Sequence, residues 1–299
     1  MAPPPSGEQL ELHLDDQRAV IVEVGGGLRG YEVAGRRVVD GYELDERCPG
    51  GAGAVLVPWP NRVRGGRWTY QGEEQQLELT EPAAGNAIHG LGRWLAWRLH
   101  RVDATAVTAS VRIHPRPGWP VRVDVSVDWR LGPEGLSATV TAVNPGDRRA
   151  PFGCGFHPYL AVDGGVGSAV LTLPARRRLV LDQQLPTGAT EPFEPASTPF
   201  AIGDRAYDDC FDDLVRDARG IVRASAVGRD GRGASVWGDA AITHLMVFTA
   251  DTLPGDRRRR SVAIEPMSCP PDALRTGDGL TWLDPGGSAT ARWGISPIS

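Results

Sequence analysis

The sequence predicts an all-β protein, a large antiparallel β-sandwich with few and short helices. Three observations carry that expectation. The strongest apolar patterns have period two, as in Val123, Val125 and Val127 against Asp124, Ser126 and Asp128, the spacing of a half-buried strand. The 299 residues include 38 glycines and 25 prolines, which stop short strands and turn the chain. Neither an internal repeat nor a domain boundary stands out. Residues 9–299 therefore read as a single domain, after a disordered lead-in at residues 1–8.

Taken in order, Leu10, Leu12 and Leu14 share one face of a first strand, and residues 19–24 form a second. Gly25, Gly27 and Gly30 then match G-x-G-x-x-G. A dinucleotide site of that kind needs a following helix whose N-terminus meets the pyrophosphate. Residues 31–33 and 37–39 read instead as further strands, so a glycine turn between strands is the better account. The apolar run 52–57 is stopped by Pro58-Trp59-Pro60-Asn61-Arg62. Two prolines around a tryptophan exclude a central strand, leaving a rigid loop that presents an aromatic face, an amide and a guanidinium. Residues 65–70 and 75–79 form a hairpin. A glycine-rich loop then carries His89, Arg93 and Trp94. Strands follow at residues 97–99, 105–113, 121–131 and 136–143, and again at 168–173 and 177–181.

In Gly153-Cys154-Gly155-Phe156-His157-Pro158-Tyr159-Leu160 the proline pushes His157 toward extended geometry. The glycines let backbone approach closely. An imidazole held this way suits proton transfer; it also suits a packed histidine that closes a strand. Residues 184–200, rich in proline and threonine, read as a long loop. Tyr207-Asp208-Asp209-Cys210-Phe211 places acids among aromatics, as a cleft wall or a solvated turn would. Strands at 235–237 and 243–249 precede a charged loop with four consecutive arginines, Arg257 to Arg260, expected to be a solvated hairpin end. The apolar run 261–264 leads into Glu265-Pro266, a carboxylate well placed to face a cleft. A strand at residues 289–295 closes the chain.

Composition removes several function classes. The net charge of −5 argues against a nucleic-acid partner held by phosphate contacts. All 32 basic residues are arginine, which removes Schiff-base and pyridoxal-phosphate chemistry and Walker-type loops, since each needs an amine. Cys48, Cys154, Cys210 and Cys269 lie far apart, without the paired spacing of a zinc site. No apolar run approaches the ~20 residues of a membrane helix, and the proline-rich start does not read as a secretion signal. A cytoplasmic protein with reduced thiols is expected, without cofactor or membrane partner, as a monomer or homodimer.

The polar candidates, Asn61, Arg62, His89, His157, Asp208, Asp209 and Glu265, sit at strand ends or in loops held by proline and glycine, where a rigid β scaffold displays functional groups. Two histidines and a carboxylate make an acid–base pair or hold a metal. The zinc-protease motif H-E-x-x-H is absent, the scattered spacing gives a metal no support, and none is expected. A serine nucleophile lacks its G-x-S-x-G elbow. Trp59 and Trp94 are candidates to stack on the C–H face of a sugar, or simple core.

Five segments in order resemble the aldose 1-epimerase (galactose mutarotase) family: Pro60-Asn61-Arg62, Ile88-His89-Gly90-Leu91 with Trp94, Gly155-Phe156-His157-Pro158-Tyr159, Tyr207-Asp208-Asp209-Cys210-Phe211, and Ala263-Ile264-Glu265-Pro266-Met267. The resemblance implies a single supersandwich with a sugar cleft on one sheet. It implies Glu265 as general base and His157 as general acid. Arg62, His89 and Asp208 or its neighbour Asp209 would hold sugar hydroxyls and the ring oxygen. The implied activity is interconversion of the α and β anomers of a free hexose such as glucose or galactose. A hexose 6-phosphate, bound by Arg62, Arg93 and the arginine run, is the alternative, as is a sugar-binding module of the same fold without catalysis. Leu160 stands where the family often has an aromatic.

Overall fold

The computed structural model describes residues 3–299. Among them the longest helix is the single turn Ala273–Thr276, and no helix is long and apolar enough to cross a membrane. The strands form a 12-stranded sheet and a 9-stranded sheet, with three two-stranded ribbons at the margins. Val262 and Ile264 of the larger sheet share one buried cluster with Val236 and Trp293 of the smaller. The core is therefore the layer between two packed sheets.

Period-two alternation accounts for the smaller sheet directly. Val123–Gly132 alternates strictly, with its valines buried toward the core, and pairs with Ala106–Ile113 and Gly135–Val143 over eight and nine residue pairs. The larger sheet contains the strand Ser261–Met267, in which all seven residues are buried. Here alternation decides which cover each side chain meets. Val262 and Ile264 enter the inter-sheet core, whereas Ala263 and Met267 join separate clusters on the opposite face. Glu265 shares that opposite face.

Three expectations change on contact with the structure, and the glycine turn stands as expected. Residues 1–2 lie outside the described residues, but the rest of the expected lead-in is tied down. Ser6 is buried, and the carbonyls of Ser6 and Glu8 accept from the amides of Val24 and Glu23 at 3.0 and 2.8 Å. Residues 184–200 are not all loop: Leu185–Pro192 is the edge strand of the larger sheet, paired with Ala175–Asp182. Pro186 and Pro192 are tolerated because an edge leaves one side of the ladder unpaired. The arginine run is not a solvated hairpin end. Arg257 pairs with Glu46 at 2.6 Å, Arg259 with Asp251 at 2.7 Å and Arg260 with Asp40 at 3.0 Å. Gly25 and Gly26, with φ of 84° and 60°, make the turn between strands, and no helix follows them.

Candidate active site

The segment from Gly155 to Ala161 lies against the strand Ser261–Met267. Gly155 pairs with Met267, and Tyr159 with Ala263. The two ends fix the middle: His157 stands opposite Glu265 on neighbouring antiparallel chains, so both side chains leave from the same face. Their reactive atoms meet, His157 Nε2 lying 3.3 Å from Glu265 Oε1. Close approach of this segment needs its glycines. A Cβ on Gly153 would come within 2.5 Å of Cys269 Sγ, and one on Gly155 within 2.8 Å of Pro60 Cβ. Tyr159 stacks on the His157 ring at 4.9 Å between centroids and donates to the Gly50 carbonyl.

The pair forms the floor of a cleft of about 780 Å³. Asn61, Arg62, His89, Asp208 and Gln184 line it beside His157 and Glu265. The loops at Asn61 and His89 interlock. The Asn61 amide donates to His89 Nδ1 at 3.3 Å, and the His89 amide donates to the Asn61 carbonyl at 2.9 Å. Both residues adopt left-handed backbone, φ 55° and 63°, a conformation that costs free energy for non-glycine residues and is concentrated at functional sites. Arg62 is held by a two-point ion pair to Glu81, at 2.8 and 2.9 Å, with Asp208 3.9 Å away. Asp208 accepts from the Gln184 amide at 2.6 Å.

The pleat separates two adjacent acids. Asp208 faces the cleft. Asp209 points to the other side of its strand, where Arg178 lies 3.6 Å away, and it does not line the cleft. Trp59 does not line it either. It is 1% exposed and packs 5.8 Å from Trp119, which packs 5.6 Å from Trp68. Its indole is therefore core, because the prolines on either side turn it inward. Trp94 lines the cleft and is 48% exposed. Glu81, Gln184 and Tyr159 were not singled out as site residues by sequence reasoning, whereas Arg93, named there only for a phosphorylated sugar, lines the cleft. Glu81-Pro82 repeats the carboxylate–proline pairing of Glu265-Pro266, a signal that could have found the first of them.

Burial sets the electrostatics. Glu265 is 2% exposed and stands over Cys210, Met246 and Met267, an apolar sulfur-rich cluster. Loss of hydration there raises its pKa well above the usual carboxylate value; the Asp208 charge adds to the rise and Arg62 opposes it. Burial lowers His157 to about 3, with the charges of Arg93 and Arg62 in the same direction. His89 is driven down by burial and then by His157. Both shifts favour the uncharged forms, a carboxyl beside a neutral imidazole, over an ionised base beside a protonated acid. Glu265 Oε2 and His157 Nδ1 are buried without a hydrogen-bond partner. Unpaired polar atoms in such a place are costly, and in a cleft they are available to a ligand.

A two-layer β-sandwich of this kind is the architecture of the galactose mutarotase-like proteins. One such protein from Clostridium acetobutylicum superposes with a TM-score of 0.84 at 16% identity, over 97% of this chain and 95% of that one. A putative aldose 1-epimerase from Escherichia coli K12 superposes at 0.78 with 20% identity, over 97% and 98%. In sequence the chain is similar to the uncharacterized protein YihR of E. coli K12, 30% identical over 283 residues, 94% of this chain and 90% of YihR. The family model for aldose 1-epimerase matches residues 8–296, and the chain belongs to that family.

Proposed function

We propose that the protein is an aldose 1-epimerase that interconverts the α and β anomers of a hexopyranose with a free C1 hydroxyl. The observation that carries this reading is the Glu265–His157 contact of 3.3 Å on the floor of a cleft. A cyclic aldose is a hemiacetal. In its reactive form the pair holds its proton on His157. Glu265 takes the proton of the C1 hydroxyl while His157 Nε2 gives its own to the ring oxygen. The bond from C1 to the ring oxygen breaks and the C1 carbonyl forms. Rotation about C1–C2 and closure on the other carbonyl face reverse both transfers. Two positioned proton-transfer groups are typically worth ~10²–10⁴ each.

Burial supports the opening step. After it, Glu265 is protonated and His157 neutral, the arrangement that desolvation favours at both residues. The site thus stabilises the proton distribution of the open-chain state more than that of the closed sugar, which is the differential interaction that accelerates a step. Arg62 and Asp208, with His89 and Asn61, supply donors and acceptors for ring hydroxyls.

Glucose and galactose are the first substrates to try. Polarimetry of freshly dissolved α-glucose and α-galactose should show mutarotation well above the buffer rate. If binding is measurable but mutarotation stays at the buffer rate for every sugar tried, the protein is a sugar-binding module and this reading falls. The arginine run gives a phosphate reading no support, since three of its four guanidinium groups are paired within the protein.

A further inference from the structure

Glu81 lines the cleft but has no part in the ring opening proposed for it. Its carboxylate occupies two of the three nitrogens of Arg62: Nε donates to Oε2 at 2.8 Å and Nη2 to Oε1 at 2.9 Å. Its backbone is fixed from behind. The Glu81 amide donates to the Asn86 carbonyl at 2.9 Å, and the Asn86 amide donates to the Glu81 carbonyl at 3.3 Å. Among the described residues Arg62 Nη1 is left without a hydrogen bond. Asp208 Oδ2 lies 3.9 Å from it, beyond hydrogen-bonding distance.

A guanidinium and a carboxylate so close ordinarily join at two points. Here the fork of Arg62 already holds Glu81, and the gap to Asp208 stays open. One oxygen atom fits within hydrogen-bonding distance of both its sides. A sugar hydroxyl suits the gap in both senses, since it accepts from a guanidinium and donates to a carboxylate. Asp208 Oδ2 already accepts from Gln184 at 2.6 Å, and a carboxylate oxygen has a second lone pair for the sugar. We propose that Glu81 is a positioning residue: it keeps Arg62 from closing on Asp208 and so preserves a slot for one hydroxyl of the hexose. Without it, Arg62 and Asp208 pair with each other, and the sugar must break that pair to bind. The inference rests on the epimerase reading and adds the residue that sets how tightly the sugar is held.

The test measures mutarotation kinetics of the full-length protein with glucose and with its 2-, 3-, 4- and 6-deoxy analogues, all of which keep the C1 hydroxyl. Glu81→Gln should raise KM for glucose about tenfold or more, the worth of one hydrogen bond to a charged group, and leave kcat within about threefold, as loss of uniform binding does. Glu81→Asp, which keeps the charge, should fall between parent and Gln variant, and a thermal melt of each variant checks folding. One deoxy sugar lacks the hydroxyl that fills the slot, so its kcat/KM should be the same in parent and Glu81→Gln. In an Arg62→Gln background the Glu81 substitution should change kcat/KM for glucose less than about twofold, because its effect runs through that guanidinium. An unchanged KM in folded Glu81→Gln would overturn the inference and leave the epimerase reading standing. So would an equal loss for all five sugars, or losses at Glu81 and Arg62 that simply multiply. Absence of mutarotation by the parent protein with every sugar would remove both.

Discussion

Glu265 and His157 share one proton in a place that disfavours charge on either, and their titration follows. A lone imidazole acting as general acid would lose its proton near its ordinary value of 6.5. The coupled pair keeps its proton until the raised Glu265 group gives it up, so the two titrate together. We expect kcat/KM to hold level through pH 6.5; a clear inflection there would count against the pair. Glu265→Gln and His157→Asn should each slow mutarotation at least 100-fold. Stability should respond with opposite signs. The folded Glu265 carboxyl stays protonated above 4.5, where the unfolded one ionises, so stability declines as pH rises through that window. Glu265→Gln removes the decline, and its melting temperature should exceed that of the parent by a few degrees at pH 8 and by less at pH 5. His157 is neutral when folded, and the stability tied to it is lost as pH falls from 6.5 toward about 3. His157→Asn should therefore be less sensitive to mild acid.

The residues of the pair were legible from the sequence because Pro158 and Pro266 fix the backbone beside them. The choice between Asp208 and Asp209 was not. Both acids are adjacent in the chain, and only the pairing of Asp208 with Phe248 and Asp209 with Val247 decides which side each takes. Gln184 carries no motif. It matters through where its loop returns, which is tertiary information.

At the scale of the element, the site depends on strands whose ends are clamped by loop contacts. Asp272, fully buried with φ 65°, is one such clamp. Its carboxylate accepts from the Arg64 amide at 2.9 Å and from Arg275 Nε at 2.8 Å, while its own amide donates to the Arg62 carbonyl at 2.7 Å. Asp272→Ala should cost about 1–3 kcal/mol, the usual penalty for leaving a backbone amide, here that of Arg64, without its acceptor, since the Arg275 and Arg64 guanidinium groups reach solvent; urea unfolding measures it. Because the clamp positions Arg62, kcat/KM should fall in the same variant even well below its melting point. Sequence alternation located the long strands to within a few residues. It missed the edge strand Leu185–Pro192, whose exposed threonines and prolines carry no buried face to alternate against.

At the scale of the molecule, the inter-sheet layer is rich in tryptophan. Trp59, Trp68 and Trp119 form one run of tilted contacts, and Trp129 and Trp293 flank Phe156. Phe156 precedes His157, so the core that holds the sheets together also seats the imidazole. Trp59→Ala should destabilise the fold by about 3–5 kcal/mol. Trp59→Phe, which keeps an aromatic filler, should leave KM for the sugar within about twofold. A large rise in KM for the folded Phe variant would put the indole back among the sugar contacts. The all-β architecture was legible because period two persists over many short strands. The pairing of distant strands was not, since order within a sheet is set by contacts far apart in sequence.

The strand that bears Glu265 has partners along both edges and cover on both faces. Amide protons of Ile264 and Glu265 should therefore exchange with deuterated solvent only when the whole chain unravels, among the slowest in the protein. The groups at the rim of the cleft, at Gly50, Thr252 and Gln184, hang from loops and should exchange far sooner. A catalyst arranged this way keeps its reactive floor rigid through every turnover and leaves admission and release to its rim.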